Sequence, residues 1–291
     1  MDPSLTADEA ELPPTSARAR VLRVHGARGH EAEDALIEET PVALSYNGVS
    51  HAVMLASPAD LEDFALGFSL SEGIIGHPRE LHGLETHPGC DGVVIEMQIA
   101  QPRFLALKAR RRALAGRTGC GLCGIESLAA LPRAASPAPL PRITLTLAAI
   151  DRALQALEAH QPLRAQTGAA HAAAWATLDG TLRLVREDVG RHNALDKLVG
   201  AMLRAEIDVR TGFVLVSSRA SYEMVQKALS AGIGGLVAVS APTAMATRNA
   251  AHAGLILAGF ARPGRLVAYA GADRIQGLTP TATTHDTPAA G

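Results

Sequence analysis

The stretch over residues 186–197 reads Arg186-Glu187-Asp188-Val189-Gly190-Arg191-His192-Asn193-Ala194-Leu195-Asp196-Lys197. It follows an apolar run, Leu182 to Val185, that predicts a strand, and it leads into a pattern that predicts a helix over 193–204. Asn193 is the predicted N-cap of this helix, with Asp196 at its third position and the other charges solvated in the simplest interpretation. A strand that turns directly into a helix is the repeating unit of α/β folds.

The same alternation runs through the second half of the chain. The apolar spacing from Leu147 to Leu157 predicts an amphipathic helix. The other predicted strands lie at Ala172 to Leu178, Phe213 to Ser217, Leu236 to Ser240 and Arg265 to Ala270, and the other predicted helices at 221–231 and 243–259. This pattern predicts an α/β domain with a substantially parallel sheet over residues 143–278. Binding sites in this class lie beyond the carboxyl ends of strands.

The first half of the chain predicts a smaller, β-rich domain over residues 36–131. Asn47-Gly48 is the commonest two-residue hairpin turn. The elements around it are strand-like runs at Pro41 to Tyr46 and Val49 to Leu55, a helix with Ser57 as N-cap and Pro58 at its first position, and strand candidates at Val93 to Ile99 and Phe104 to Leu107. Residues 132–142 predict a proline-rich linker, and residues 1–35 and 279–291 predict disordered tails. The fold class is therefore α/β, or α+β over the whole chain.

Composition limits the function. The chain has 291 residues, a formal net charge of -2 and a pI near 6.6. It lacks the positive charge of a protein that binds nucleic acid or a membrane surface. Three cysteines and an acidic, polar N-terminus argue against a secreted disulfide framework. We expect a cytoplasmic protein with no nucleic-acid partner and no membrane span.

Two of the three cysteines lie close together in Thr118-Gly119-Cys120-Gly121-Leu122-Cys123-Gly124. A Cys-x-x-Cys pair can form a disulfide, supply half of a metal site or carry sulfur as a persulfide. The flanking glycines are poor helix formers, so we interpret the stretch as a reactive-sulfur loop. Cations just upstream favour the nucleophilic thiolate and would attract an anion; they are Lys108, Arg110, Arg111, Arg112 and Arg117.

Two more strand-to-helix junctions favour anion binding. Ser217 to Met224 and Ser240 to Thr243 place hydroxyl groups where free backbone N–H groups at a helix start can bind an anion. Ser221 and Thr243 can equally be ordinary N-caps. Three such starts at one edge of a sheet indicate a long, multiply charged ligand. The predicted contacts outside the C-terminal strands are Arg191, His192, Arg219 and Ser221.

The remaining polar residues give weaker signals. His171, in Thr167-Gly168-Ala169-Ala170-His171, is a base, a metal ligand or, more commonly for a lone histidine among small residues, a packed ring. Cys90 is predicted to be a free loop thiol. Zinc held by Cys120 and Cys123 would need a second Cys or His pair, which the motifs do not supply, although His residues from elsewhere in the chain could complete such a site. No metal is the prediction.

Taken together, these motifs resemble the FdhD family of formate dehydrogenase accessory sulfurtransferases. The resemblance spans about Thr40 to Tyr269, and it rests on the joint pattern because one Cys-x-x-Cys pair is weak. The motifs are Asn47-Gly48, Gly67-Phe68 with Glu72-Gly73, Gly119 to Gly124, Thr167-Gly168 with His171, Arg186 to Ala194 with Asp196-Lys197, Ser218-Arg219 with Ser221 and Glu223-Met224, and Ser240 to Thr243.

The resemblance implies a sulfur carrier, or sulfurtransferase. A cysteine desulfurase would load Cys120 with a persulfide, with Cys123 as its partner. The sulfur would pass to the molybdenum cofactor, a bis-molybdopterin guanine dinucleotide, before the cofactor enters the catalytic subunit of formate dehydrogenase. The resemblance also implies a homodimer and a larger domain similar in fold to cytidine deaminase, whose zinc signature this chain lacks. The implied cofactor contacts are Phe260, Ala261, Arg262, Pro263, Gly264 and Arg265.

Two other functions stay open. A cofactor-binding chaperone would protect the molybdenum centre without transferring sulfur, and sulfur labelling distinguishes it from a carrier. A zinc-dependent, deaminase-like hydrolase would require stoichiometric zinc, which metal analysis detects.

Overall fold

A computed structural model describes residues 11–115 and 139–277. The strands of these ranges are β1 (Ser16–His25), β2 (Arg28–Ile37), β3 (Thr40–Tyr46), β4 (Val49–Ala56), β5 (Leu81–Gly89), β6 (Gly92–Ile99), β7 (Leu145–Thr146), β8 (His171–Thr177), β9 (Leu182–Asp188), β10 (Gly212–Val216), β11 (Gly235–Ala238), β12 (Ile256–Arg262), β13 (Arg265–Ala270) and β14 (Ile275–Gln276). The helices are α1 (Leu61–Ser71), α2 (Gln101–Ala115), α3 (Leu147–Leu157), α4 (Pro162–Thr167), α5 (Arg191–Arg204), α6 (Tyr222–Ser230) and α7 (Ala244–Ala253).

The largest sheet of the described residues has the strand order β13-β12-β11-β10-β8-β9. β10, β11 and β12 are parallel, and β8 runs antiparallel to both β10 and β9. The carboxyl ends of β9, β10, β11 and β12 therefore meet at one edge, with the amino end of β8 among them. We call this the carboxyl edge. The predicted α/β fold class is confirmed. The sheet is mixed rather than substantially parallel as predicted, because β13 is also antiparallel to β12 and only two of the five strand pairings are parallel.

Both faces of this sheet are covered. Buried residues of α5, α6 and α7, such as Leu198 and Leu229, pack on one face, and Ile150 of α3 packs on the other. β10 is buried along its whole length, as expected for a strand with helices on both sides. The helices after β9, β10 and β11 all begin at the carboxyl edge.

A second sheet, in the order β4-β3-β6-β5, forms the N-terminal part. The predicted Asn47-Gly48 hairpin is confirmed, since both residues have positive φ, 47° and 78°, and connect β3 to β4. Phe64 of α1 packs into the core of this sheet. Ser57 is not the N-cap of α1, because the helix begins at Leu61 and Asp60 precedes it.

Three further predictions are wrong. Residues 16–35 belong to a ribbon in which β1 pairs with β2, not to a disordered tail; opposite charges pair across it, as in Arg23 and Asp34, and leave no hydrophobic pattern to detect. Phe104 to Leu107 lies in α2, among strong helix formers. The predicted helix over 243–259 ends at Ala253, because Gly254 takes a left-handed conformation with φ 73°.

Two glycines bring α1 and α5 into close contact. A Cβ on Gly67 would lie 1.8 Å from the backbone oxygen of Asp196, and a Cβ on Gly200 would lie 1.9 Å from the backbone oxygen of Asp63. Neither backbone oxygen can move away as a flexible side chain would. The approach attaches the N-terminal sheet to the helix that leads away from the carboxyl edge.

We expect Gly200→Ala to lower the free energy of unfolding by about 3 kcal/mol, because the added methyl group overlaps backbone atoms. Alanine ordinarily stabilises a helix relative to glycine by about 1 kcal/mol, so the sign distinguishes the two effects. Gly83→Ala is the control, since its Cβ would meet no atom closer than 3.7 Å. Urea unfolding measures all three proteins, and a Gly200→Ala protein as stable as the unsubstituted one would contradict the close contact.

Candidate functional site

The three predicted anion-binding junctions meet at the carboxyl edge. α5 begins at Arg191, α6 at Tyr222 and α7 at Ala244. Four strand spacings separate β9 from β12, so the edge is about 19 Å long. An edge of this length fits the long, multiply charged ligand that the sequence predicts.

Asp188 shapes the turn between β9 and α5. Its buried carboxylate accepts hydrogen bonds from the backbone N–H groups of Ser57, at 2.9 Å, and Gly190, at 2.7 Å. It also lies 2.7 Å from the Lys197 ammonium and accepts a bond from the Asn193 amide at 3.0 Å. These bonds use both carboxylate oxygens of Asp188, so we assign it a structural role.

Asn193 is not the N-cap of α5. The helix begins two residues earlier, with Gly190 at the N-cap position and no side chain capping it. Asn193 is buried in the first turn, where its amide donates to the Leu55 carbonyl at 2.7 Å. The Asp188 carboxylate binds Gly190 N–H and lets the chain enter the helix early. Free backbone N–H groups therefore remain at the start of α5.

Glu187 supports the neighbouring short helix. Its carboxylate accepts bonds from the first backbone N–H groups of α4, at Leu163 (2.8 Å) and Arg164 (2.9 Å). Gly168 ends α4 in a left-handed conformation, and His171 then starts β8 at the carboxyl edge. The carboxylates of Glu187 and Asp188 are thus both hydrogen-bonded to other groups of the protein.

Arg191 and His192 are half-buried at the carboxyl edge. The Nε2 atom of His192 lies 2.8 Å from the Glu223 carboxylate and 3.4 Å from the Ser221 hydroxyl. Burial lowers the pKa of His192, and Glu223 opposes this shift. Because serine and glutamate share one ring nitrogen, the group is not a nucleophile-base-acid triad, which needs the acid on the other nitrogen.

The start of α6 is open to a ligand. Ser221 stands at the N-cap position as predicted, but its hydroxyl makes no capping bond. Arg219 is exposed and forms no ion pair with the described residues. Ser217 and Ser218 are engaged locally, since Ser217 Oγ accepts from Ala172 N–H at 2.8 Å and Ser218 Oγ donates to the Arg219 carbonyl.

The start of α7 packs directly against the end of β12. Thr243 is the N-cap as predicted, and its hydroxyl accepts from Ala246 N–H. A Cβ on Gly259 would lie 2.6 Å from Pro242 Cδ. Phe260 N–H donates to the Ser240 carbonyl at 3.1 Å. This approach brings the segment 260–265 to the carboxyl edge.

Segment 260–265 forms the bend between β12 and β13. Phe260 is 49% exposed and has a left-handed φ of 51°, which is unfavourable for an aromatic residue. Ala261 is fully buried. The Arg262 guanidinium donates to the carbonyls of Val239 and Ala261. The other members are exposed at the bend, namely Pro263, Gly264 and Arg265.

Cys120 and Cys123 lie outside the described residues. The helix before them, α2, is tied to the end of α1, because the Arg110 guanidinium donates to the backbone carbonyls of Glu72 at 3.1 Å and Gly73 at 3.0 Å. Arg110 is therefore occupied structurally. Cys90 is exposed and free, as predicted.

A buried charge cluster went unpredicted. Lys227 Nζ lies 2.9 Å from the carboxylates of Asp196 and Glu72, and Ser71 Oγ donates to Asp196 at 2.7 Å. Burial raises the pKa of Asp196, while Lys227 opposes the shift. The only signal in the sequence was a lysine among apolar residues of α6. The cluster joins the end of α1 to α5 and α6.

Residues 11–115 and 139–277 contain no helix long and apolar enough to cross a membrane. In the same ranges, no three His, Cys, Asp or Glu side chains are grouped for metal binding.

The chain matches known proteins along most of its length. The model of the FdhD/NarQ family matches residues 37–276. The "Sulfur carrier protein FdhD" of Bordetella petrii is 54% identical, covering 89% of this chain and 94% of the relative, and that of Variovorax paradoxus is 50% identical, covering 94% and 99%. A crystal structure of a Desulfotalea psychrophila protein assigned as a formate dehydrogenase accessory protein has the same fold, with TM-score 0.71, 23% identity and coverage of 90% of this chain and 100% of that one.

Proposed function

The chain belongs to the FdhD/NarQ family, and on this premise we propose that it is a cytoplasmic sulfur carrier that delivers sulfur to the molybdenum cofactor of formate dehydrogenase. A cysteine desulfurase is the donor, and the catalytic subunit of formate dehydrogenase receives the sulfurated cofactor. The protein acts as a homodimer. The observation that carries the proposal is its 54% identity to a protein named as a sulfur carrier.

The sulfur chemistry requires two thiols. The Cys120 thiolate attacks the outer sulfur of the desulfurase persulfide, so that a new S–S bond forms on Cys120 and the desulfurase thiolate leaves. The Cys123 thiolate then attacks the inner sulfur of the Cys120 persulfide. Hydrosulfide leaves for the acceptor and a Cys120–Cys123 disulfide remains. A dithiol reductant returns both thiols.

The carboxyl edge is the proposed docking surface for the cofactor, which is the substrate that accepts the sulfur. The residues fit an anionic dinucleotide, because the starts of α5 and α6 lack side-chain caps. Arg219, just before α6, is exposed, and so is Arg265 at the start of β13, at the other end of the edge. Phe260 offers an exposed ring for a base to stack on. His192 and Ser221 lie between the two ends of the edge.

Transfer of labelled sulfur distinguishes this function from that of a chaperone. The protein is loaded by a desulfurase from ³⁵S-cysteine, freed of the donor and mixed with the molybdenum cofactor. We expect the label to move from protein to cofactor. Cofactor that binds but stays unlabelled would favour the chaperone, and stoichiometric zinc in the purified protein would favour a hydrolase.

GDP is expected to bind on its own with micromolar affinity. Charge-assisted hydrogen bonds to its pyrophosphate each contribute about 1.5 to 3 kcal/mol before association costs. Guanine should be preferred over adenine, because the turn at Pro263-Gly264 offers backbone carbonyl groups near the base, while its Gly264 N–H already donates to the Asp151 carboxylate at 3.0 Å. Calorimetric titration with GDP and ADP measures both effects, with Arg265→Met expected to bind GDP about tenfold more weakly. No heat with GDP, or equal affinity for ADP, would remove the nucleotide site from this segment.

A further inference from the structure

Three basic side chains lie together at the end of the carboxyl edge that is farthest from β12. His171 begins β8 and pairs in register with Asp188 of β9. Arg191 begins α5, directly after the same turn. Arg164 lies in α4, with its guanidinium 3.5 Å from the Ala170 carbonyl oxygen. We call Arg164, His171 and Arg191 the basic cluster.

The acids nearest the basic cluster are already paired inside the protein. Glu187 accepts the two backbone N–H groups at the start of α4. Asp188 is bound by Lys197 and by the backbone of the turn. Over the described part of the chain, neither Arg164 nor Arg191 forms an ion pair. Within residues 11–115 and 139–277, the cluster therefore carries positive charge without a counterion.

The positive charges of the basic cluster affect the pKa of His171. Burial lowers the pKa of His171, and the guanidinium groups of Arg191 and Arg164 lower it further, while Asp188 opposes them. The Nε atom of Arg191 is buried and has no hydrogen-bond partner among the described residues. Two features are unfavourable here: the repulsion between the like charges of the cluster, and the buried Nε donor of Arg191 that has no hydrogen-bond partner among the described residues. A bound anion would reduce the repulsion and accept the hydrogen bond.

We propose that the basic cluster binds a phosphoryl group of the anionic ligand, at a site separate from the 260–265 bend. Three to four strand spacings, about 14 to 19 Å, separate the two ends of the edge. The proposal rests on the proposed function for the identity of the ligand. Arginine matches the geometry of phosphate with paired N–H donors. A ligand with several phosphates is then held at two points, which fixes its direction along the edge.

Calorimetric titration of the full chain with inorganic pyrophosphate, at low ionic strength, tests the site. We expect the unsubstituted protein to bind, and Arg164→Met and Arg191→Met each to lose affinity by about tenfold. Arg183→Met is the matched control, because Arg183 is exposed on β9 at the opposite edge of the sheet. Arg164 is exposed too. Arg164→Met therefore folds and still tests the site if the half-buried Arg191 cannot be replaced without unfolding the protein. Binding should also raise the pKa of His171, followed by NMR.

Absence of pyrophosphate binding would overturn the site. The site would also be overturned if Arg164→Met and Arg191→Met both bound pyrophosphate as tightly as the Arg183→Met control. The same holds if Arg265→Met lost affinity for pyrophosphate and the two cluster variants did not. Sulfur loading of the unsubstituted protein is measured separately. Normal loading without a pyrophosphate site overturns this inference alone, and pyrophosphate binding without loading overturns the sulfur-carrier function alone.

Discussion

Replacing Cys120 with alanine is expected to abolish persulfide formation on the protein and activation of formate dehydrogenase, since no thiolate remains to accept sulfur at that position. Cys123→Ala should retain sulfur loading because the acceptor Cys120 is intact, but it should activate formate dehydrogenase less, because the release step loses its thiol. Formate dehydrogenase activity in cells that carry each variant measures the outcome.

Cys90→Ala is the control for these substitutions. Cys90 is exposed at the turn between β5 and β6, and its loss should leave activation unchanged. Full activation by Cys120→Ala would show that the sulfur is carried elsewhere.

The second large effect is on folding. Lys197→Met is expected to lower the free energy of unfolding by about 3 to 5 kcal/mol, because it leaves the Asp188 carboxylate buried without its cation. Both side chains are 0% exposed and 2.7 Å apart. Denaturant unfolding gives the value, and the binding of inorganic pyrophosphate should weaken as the turn before α5 loosens.

The control for Lys197 is an ion pair in solvent. Arg210 and Asp208 are 2.7 Å apart, but their side chains are 77% and 42% exposed, so Arg210→Met should lower the free energy of unfolding far less than Lys197→Met does. Equal effects of the two substitutions would contradict the structural role assigned to Asp188 and Lys197.

The alternation of strands and helices was predictable because apolar runs in a covered sheet are continuous and their turns begin with polar residues. The helix predicted over 243–259 shows where this fails. Ala244 to Ala253 and the strand after it are both rich in small apolar residues, and only two residues, the left-handed Gly254 and Leu255, separate them. The β1–β2 ribbon was missed because its pairing is largely polar and exposed.

The sequence predicted where the residues of the site lie better than it predicted what each of them does. Residues 186–197 were recognised as polar and crowded, yet Asp188, Asn193 and Lys197 are buried and hold the turn together. Their partners, such as Ser57, are more than a hundred residues away in the chain. A single sequence does not reveal which distant backbone group will meet a carboxylate. Cys120 and Cys123 lie outside the described residues, so their roles stay predictions.

Intact mass spectrometry after incubation with a cysteine desulfurase and cysteine tests the sulfur-carrier function most directly. We predict a gain in mass of one or more sulfur atoms, which maps by peptide analysis to Cys120, is removed by a thiol reductant and is absent from Cys120→Ala. A protein whose mass does not change while the desulfurase turns over cysteine, or a Cys120→Ala protein that gains the same mass, would contradict the account.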